Sequence, residues 1–391
     1  MSNTDDTKEQ LTELVPELVS RESENPPGNE ARVAAFVHEW FEEHGVDADV
    51  VERPDADRPQ VAARVGDGDP TVVLNGHIDV VPAGDRGNWS YDPYDPELVG
   101  DDLYGRGSAD MKTGIAMGML ATVEFAGRFE SGALDGSVVF HAAMGEETGE
   151  PGTKTLLEEG YTGDYGVVLE PTGMRTATSE KGLAWYEITV RGEPSHASRP
   201  DQGTNAVADA RAVLDALDAY DSRVRERSDE LVGTGYATVT KFDAGTKENV
   251  VPEQATLTLD RRMLPEEDVA DVDAEIDGLL DDVATDHGID VSWERIRTYE
   301  SAAIPEDSHL ATVFREHSEA IAGVPADPWG IEASTDVRNF VNDAGVEAIT
   351  WGPGDLAQAH SFDEHVDLSE AATGYEVLTA ALEDLFEGGT A

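Results

Sequence analysis

Residues 71–82 read TVVLNGHIDVVP, an apolar run that passes directly into a segment with a histidine and an aspartate. Thr71–Leu74 is rich in β-branched residues and bounded by Pro and Gly, which predicts a strand. His77 and Asp79 then lie two positions apart on extended chain, so their side chains point to the same side. The imidazole could bind a metal while Asp79 orients a neighbouring group. By itself, however, such a His-x-Asp sequence more often belongs to an ordinary surface loop.

Four later acidic residues strengthen the metal interpretation. Asp110 opens a predicted helix, where it could also serve only as an N-cap. Glu146 and Glu147 follow an apolar strand, although adjacent carboxylates often mark a solvated turn. Glu170 ends a buried-looking strand, where an acid is costly unless it is paired or binds a metal. The chain therefore offers several carboxylates next to predicted strand ends.

A second histidine is needed to complete a pair of metal sites. His360 is the candidate, and His365 close by is a competitor. Two imidazoles and three carboxylates suit two divalent cations, each with three protein ligands and an open position if one carboxylate is shared. This set predicts a two-metal hydrolase, with these ligands: His77, Asp110, Glu147, Glu170 and His360.

The adjacent acids Glu146 and Glu147 can have different roles at such a centre. One would bind metal, and the other would hold a free carboxylate that acts as general base and later as proton donor. Burial and the neighbouring carboxylate would raise the pKa of that group, whereas the cations would lower it. The residues alone leave open which effect dominates and which of the two is the base.

The order of predicted elements indicates an α/β protein of two domains. Strands alternate with helices up to about residue 180, which favours a mixed, mostly parallel sheet. His77, Glu147 and Glu170 lie at or just beyond strand ends, where open α/β sheets bind ligands. From residue 181 a β-α-β-β-α order begins, and the α/β rhythm returns near residue 297. We predict a catalytic domain of residues 1–180 and 297–391 with an inserted α+β domain of residues 181–296.

Composition excludes several classes of partner and site. The chain has 27 Lys and Arg against 82 Asp and Glu, a formal charge of −55, which opposes binding to nucleic acid and anionic membranes. The acids are spread along the whole chain, as in proteins adapted to molar salt, where the Debye length is about 3 Å.

Cysteine is absent, so no disulfide or thiolate site exists. No signal-like N-terminus and no apolar run of roughly 20 residues occurs, which predicts a cytoplasmic protein.

Several sequence blocks in fixed order resemble a known family. The chain looks like the di-zinc metallopeptidases that include succinyl-diaminopimelate desuccinylase, acetylornithine deacetylase, aminoacylase-1 and glutamate carboxypeptidase. The blocks that carry this resemblance are Gly76–Pro82, Tyr104–Lys112, Met144–Glu147, Leu169–Thr172, Gly192–Pro200, Asn249–Pro252 and His360–Glu364.

The resemblance implies a role for each candidate residue. His77 and Glu170 would hold one metal, Glu147 and His360 the other, and Asp110 would bridge them. Glu146 would be the general base, and Asp79 would support His77. The inserted domain would be a lid that also dimerises, and its His196 would reach the active site to polarise the scissile carbonyl. Substrate contacts would come from four residues: Asn249, Arg262, Ser334 and Arg338.

The resulting expectation is a hydrolase that cleaves the amide bond of an N-acyl amino acid bearing a free carboxylate. The metals would be zinc, with cobalt or manganese as alternatives. In this family Glu at the position of Glu170 accompanies deacylases and carboxypeptidases. Residues 333–338 read ASTDVR and depart from the usual desuccinylase run, which puts a diaminopimelate substrate in doubt. A dipeptidase or carboxypeptidase is the alternative enzyme, and a non-catalytic, dimeric binding protein is the alternative of another class.

Overall fold

The computed structural model describes residues 3–388 and divides the chain into two compact units, so Met1, Ser2 and residues 389–391 of the predicted catalytic domain lie outside the description. Within the described residues, the first unit comprises residues up to Thr178, Ile304–Gly330 and from Thr335 onward. The second comprises Ser179–Ala303 and Ile331–Ser334. The predicted limits, 180/181 and 296/297, remain a prediction; the units divide a few residues away from them.

The helices and strands are numbered here in chain order. The helices are α1 (Asn3–Val19), α2 (Ala31–Glu43), α3 (Thr113–Glu130), α4 (Gly152–Glu158), α5 (Ala206–Val224), α6 (Val269–His287), α7 (His309–His317) and α8 (Leu368–Gly388). The strands are β1 (Ala48–Val51), β2 (Gln60–Gly66), β3 (Thr71–His77), β4 (Glu97–Val99), β5 (Asp102–Tyr104), β6 (Ser137–Ala143), β7 (Tyr165–Val168), β8 (Ala177–Glu180), β9 (Gly182–Arg191), β10 (Ser228–Asp229), β11 (Gly233–Thr234), β12 (Tyr236–Ala244), β13 (Gln254–Met263), β14 (Asp290–Tyr299), β15 (Ala302–Ala303), β16 (Trp329–Ile331), β17 (Glu347–Thr350) and β18 (His365–Asp367).

The first unit is built around a mixed sheet whose centre is parallel. Its four central strands lie in the order β6-β3-β7-β17, and all three pairings between them are parallel. On one side β2 and β1 continue the sheet antiparallel, and on the other Thr350 pairs antiparallel with Ala177 of β8. The predicted α/β class with a mostly parallel central sheet is confirmed.

Burial on both faces explains the composition of the central strands. Every residue of β3 and of β6 is buried, as expected for parallel strands covered by helices on both sides. Side chains of α2, α3 and α8 join this core; Phe41 of α2, for example, meets Phe140 of β6 with ring centroids 5.1 Å apart. Burying such apolar surface contributes about 25 cal/mol per Å².

A small antiparallel sheet, β18-β5-β4, was missed from the sequence. Each of its strands has three residues, too few for an alternating pattern to be recognised. Its register pairs His365 with Tyr104 and Asp367 with Asp102. The sheet therefore joins two segments of chain that are more than 250 residues apart: β5 precedes the candidate ligand Asp110, and β18 follows the candidate ligand His360.

The second unit is an α+β module with an antiparallel sheet in the order β12-β13-β9-β14. Its helices begin at side-chain caps: Asn205 accepts from the backbone N–H of Val207 for α5, and Asp268 accepts from Ala270 for α6. Side chains of α5, α6 and the sheet form one core. Strand β14 was not predicted, because a bulge between Arg295 and Arg297 breaks its alternation of inward and outward residues.

Two segments of the first unit wind more widely than an α-helix. Helix α7 ends at His317 and is followed by a wider turn over Ser318–Ala322. A short turn of the same kind covers Asn339–Ala344. Among the described residues, no helix is both long and apolar enough to cross a membrane.

His141 in β6 makes the stability of the fold depend on pH. Its ring is fully buried, with Nε2 2.8 Å from the carbonyl oxygen of Tyr161, and burial lowers its pKa from 6.5 to about 4. Since the unfolded chain binds this proton near pH 6.5 and the folded chain only near pH 4, the free energy of unfolding should fall as pH drops between these values.

We therefore expect His141 to remove about 2 kcal/mol of stability between pH 7 and pH 5. Chemical denaturation in molar salt would measure this for the wild-type chain and for His141→Gln. The variant should lose correspondingly less stability on acidification. An unchanged pH dependence in His141→Gln would contradict the assignment.

Candidate metal centre and active site

Sheet order brings three of the candidate residues to one edge. His77 is the last residue of β3, which lies between β6 and β7. Glu147 lies in a turn four residues after β6, and Glu170 comes two residues after β7. Because these parallel strands end at the same edge, the two glutamates flank His77 from its two neighbouring strands.

Asp110 reaches this edge from the turn that precedes α3. The start of α3 packs closely on the end of β7, because a Cβ added at Gly114 would stand 2.2 Å from the carbonyl oxygen of Leu169. Only glycine permits this approach. It sets the start of α3 beside the residue that precedes Glu170, and so brings Asp110 next to Glu170.

The five predicted ligands form two groups that meet at Asp110. Nε2 of His77 lies 3.1 Å from Oδ1 of Asp110 and 3.5 Å from Oε1 of Glu170. Nε2 of His360 lies 3.5 Å from Oδ2 of Asp110 and 3.0 Å from Oε2 of Glu147. Each oxygen of Asp110 thus faces a different imidazole, the arrangement that a bridging carboxylate needs.

The donor atoms fit a pair of divalent cations. Tetrahedral ligands about 2.0 Å from a metal lie about 3.3 Å from one another. The distances within the two groups, 3.0 to 3.5 Å, match that separation. Ligand atoms of His77, Asp110 and Glu147 also lie within 4.8 Å of one another. The residues therefore offer a site with room for metal ions and with ligands from both groups.

The competing histidine lies elsewhere. Nδ1 of His365 is 3.0 Å from the carbonyl oxygen of Asp363, and its ring centroid lies 4.8 Å from that of Tyr104, with the rings tilted by 31°. His360 instead adopts a left-handed backbone conformation with φ of 61°. This conformation is strained for a residue other than glycine, and such strain concentrates at functional sites. Of the two histidines, His360 is the one brought to the acidic cluster.

Asp79 anchors the turn that carries Glu146 and Glu147. Its carboxylate accepts hydrogen bonds from the backbone N–H of Glu146 at 3.2 Å and of Glu147 at 3.1 Å. Asn25 donates a third at 2.9 Å. The backbone carbonyl of Asp79 lies 2.9 Å from Nδ1 of His77, which leaves Nε2 of that ring directed at Asp110. Asp79 therefore contacts both sides of the cluster.

Glu146 is mostly enclosed beside the cluster, with 13% of its side chain exposed. Burial raises its pKa well above the ordinary value, although the charges of His77 and Arg338 oppose this. Nη1 of Arg338 lies 3.8 Å from Oε1 of Glu146. In the chain by itself, burial therefore dominates over these charges and disfavours the ionised carboxylate.

Protons compete with cations at this centre. Burial raises the pKa of Glu170 to about 7 and that of Asp79 to about 6. Burial acts to lower the pKa of His77, but hydrogen bonds to Asp110 and Glu170 outweigh it, so the pKa lies well above its usual value. A hydrogen bond to Glu147 raises the pKa of His360. Because metal ligands must be deprotonated, cation binding here would release protons.

The other predicted residues belong mostly to the second unit. Nδ1 of His196 lies 2.8 Å from the hydroxyl of exposed Ser198, and the backbone at His196 bridges Val250, next to Asn249. The guanidinium of Arg262 forms two hydrogen bonds, of 3.0 and 3.2 Å, with Asp260. Ser334 ends the Ile331–Ser334 segment of this unit. Arg338, by contrast, lies in the first unit beside Glu146.

Sequence reasoning missed the residues that hold the ligands in place. Asn25, which bonds Asp79, belongs to a buried network. The same amide lies 3.3 Å from Glu150, which pairs with Arg58, and Arg58 also pairs with fully buried Glu30. No local pattern marks these residues, because each acts through a partner distant in sequence.

Comparison with known proteins identifies the family. The sequence pattern described as Peptidase family M20/M25/M40 matches residues 73–384. The chain belongs to this family. It is a metal-dependent hydrolase, which sets aside the alternative of a non-catalytic binding protein.

Relatives of this M20 hydrolase include desuccinylases. It is 32% identical to succinyl-diaminopimelate desuccinylase of Xanthomonas oryzae over 317 residues, 78% of this chain and 81% of that enzyme. It is 26% identical to a probable succinyl-diaminopimelate desuccinylase of Staphylococcus aureus over 391 residues, 92% and 94% of the two chains. A similar solved structure is the M20 metallo-carboxypeptidase Sso-CP2 of Sulfolobus solfataricus, with a TM-score of 0.81, 18% identity and coverage of 96% and 98%.

The contact at Gly114 provides a test of how α3 is positioned. Gly114→Ala should lower the free energy of unfolding by about 1–3 kcal/mol, because the new methyl group overlaps the Leu169 carbonyl. Gly127→Ala, in the same helix with nothing within 4 Å, is the matched control and should gain up to about 1 kcal/mol from helix propensity. Chemical denaturation of both variants would measure the difference. Equal effects would rule out the close approach.

Proposed function

We propose that this M20 hydrolase uses two divalent cations to cleave the amide bond of an N-acyl amino acid with a free carboxylate. The observation that carries the proposal is the position of Asp110. Its two carboxylate oxygens face His77 and His360 separately, and each imidazole is accompanied by one glutamate. A carboxylate shared between two such groups can hold two metal ions close together, as two-metal catalysis needs.

The cations would be held by His77, Glu170 and Asp110 on one side and by Glu147, His360 and Asp110 on the other. When bound, they would supply Lewis-acid polarisation of the carbonyl and lower the pKa of water. Zinc fits this ligand set, and cobalt and manganese fit it as well.

Glu146 is the residue that we assign to proton transfer. Its position beside the ligands is supported by the bonds from its own and the next backbone N–H to Asp79. Its carboxyl is enclosed, and its pKa is raised by burial, whereas neighbouring cations would lower it. Together these effects suit a group that takes a proton from water and returns it to the leaving amine.

The substrate class rests on the relatives and on the charge of the site. The relatives at 26% and 32% identity are a probable and a named succinyl-diaminopimelate desuccinylase. By the family resemblance, Glu170 goes with deacylases and carboxypeptidases alike. Arg262 and Arg338 are cations with a fork that can pair bidentately with a carboxylate. Asn249 and Ser334 would add neutral donors. A dipeptidase or carboxypeptidase acting on small peptides is the second candidate, because the run at residues 333–338 departs from the desuccinylase pattern.

A substrate panel decides between these candidates. N-succinyl-diaminopimelate, N-acetylornithine and simple dipeptides would be assayed side by side with added zinc, cobalt or manganese. Hydrolysis of an N-acyl amino acid at the highest kcat/KM supports the proposal. Preference for dipeptides would replace it with the peptidase function.

The second unit is proposed to act as a lid and as the surface for a homodimer. His196 would then polarise the scissile carbonyl, in its own or the partner's site.

We also infer that the enzyme works in molar salt, because a charge of −55 spread over the chain is screened there. Unfolding on dialysis into low salt would support this inference, and indifference to salt would contradict it.

Glu146→Ala should lose turnover while keeping its metals. We expect kcat to fall by about 10²–10⁴-fold, the usual contribution of a general base. Metal analysis should still find two ions per chain, because the five ligands are unchanged. Glu158→Ala, at an exposed position at the end of α4, is the matched control. Activity near the wild-type level would refute the assignment of Glu146.

His196→Ala should separate catalysis from metal binding in the other unit. If its imidazole polarises the carbonyl, kcat should fall by about 10²–10³-fold. Metal content should not change, since His196 is not among the ligands. His287→Ala, at the end of α6 in the same unit, controls for loss of an exposed histidine. A fully active His196→Ala enzyme would argue against a catalytic lid.

A further inference from the structure

We propose that Glu364 and Arg106 form a clamp that sets the position of Asp110 and thereby controls how tightly both cations bind. These two are positioning residues: Glu364 bonds to the backbone at Ala109 and Asp110 and to Arg106, and neither is one of the five predicted ligands. The inference rests on the proposed two-metal function, since it concerns the residues that position Asp110, the proposed bridging ligand. It concerns residues to which the ligand set gives no task.

The clamp consists of hydrogen bonds to the backbone that carries Asp110. Oε1 of Glu364 accepts from the N–H of Ala109 at 3.0 Å and from the N–H of Asp110 itself at 3.1 Å. Oε2 of the same carboxylate accepts from Nη1 of Arg106 at 2.5 Å. The backbone carbonyl of Glu364 accepts a further bond from the N–H of Gly105, at 2.9 Å. One residue thus holds both ends of the segment that leads to the bridge.

Burial makes these bonds costly to lose. Glu364 is 0% exposed and Arg106 is 3% exposed. Removing one partner of a buried charge pair is strongly destabilising, because it leaves the other charge without compensation. A carboxylate is also the only side chain of this size that accepts on both sides. The amide of glutamine would direct its NH₂ either at Arg106 or at the two backbone N–H groups, and each orientation opposes donors to donors.

Position in the chain connects the clamp to both metal groups. Glu364 follows His360 by four residues, and β18 directly after it pairs with β5 directly before Gly105. Asp110 presents one oxygen to His77 and the other to His360. A shift of the Asp110 backbone would therefore change the distances between ligand atoms in both groups of predicted metal ligands at once. Loss of a ligand that belongs to one group alone would not have this effect.

Direct titration with metal tests the clamp. Metal-free protein in molar salt would be titrated with Zn²⁺ against a chromophoric chelator, and with Co²⁺ while its visible absorption is recorded. For Glu364→Gln we expect the affinity of both ions to fall by about 10–100-fold, as for other outer-shell partners of metal ligands. The cobalt spectrum should change as well, because the coordination geometry is no longer held.

Arg106 provides an independent pair of variants that leave Glu364 in place. Arg106→Met removes the charged donor and should lower both affinities in the same direction. Arg106→Lys keeps a cation and should restore part of the loss. If Glu364→Gln does not fold, the two Arg106 variants decide the question. Tyr375→Phe, which removes a partly buried hydrogen bond to Glu124 of 2.8 Å in the same unit, is the control and should leave both affinities unchanged.

The outcomes separate this inference from the function on which it rests. A wild-type chain that binds fewer than two ions would overturn the proposed two-metal centre. If the wild-type chain binds two ions, and Glu364→Gln and Arg106→Met bind both ions with the wild-type affinity, the clamp alone is overturned. Lower stability of these variants without any change in affinity or cobalt spectrum would show a merely structural role, and would also overturn it.

Discussion

The constraint on which this structure depends is the burial of several carboxylates in one place. Asp110, Glu147 and Glu170 have side chains less than a tenth exposed, and they meet beside His77. Enclosing like charges together is strongly unfavourable unless cations or protons compensate for them. The raised pKa of Glu170 and of His77 shows how the chain by itself compensates, by retaining protons. The architecture around the cluster serves to hold it together against this repulsion.

Acidic side chains also fix the backbone segments that carry the cluster. Asp79 accepts from the backbone N–H groups of Glu146 and Glu147, and Glu364 accepts from those of Ala109 and Asp110. Each anchor accepts from two backbone N–H groups and from one further side chain, Asn25 for Asp79 and Arg106 for Glu364. An ionised acceptor forms stronger bonds to N–H groups than a neutral one, so a carboxylate suits this task. The site thus has one layer of acids for cations and another for the backbone.

The architecture was largely predictable because most elements have strong local patterns. The apolar runs of β3, β6 and β7 were recognised from the sequence. Elements without such patterns were missed. In β14 a bulge interrupts the alternation, and β4, β5 and β18 have only three residues each. These short strands form because distant segments meet, and that meeting leaves no periodic signal in either segment.

The sequence by itself determined the chemistry: which residue types are available, that they follow strand ends, and that their order resembles one family of hydrolases. The tertiary structure decided which of them come together. It brings His360 rather than His365 to Asp110, and it adds Asn25, Arg106 and Glu364 as supports. The physical reason is that a local pattern reports whether a residue suits a strand or a helix. The order of strands in the sheet and the packing decide which side chains share a buried hydrogen bond across 250 residues. No single segment of the sequence determines that order or that packing.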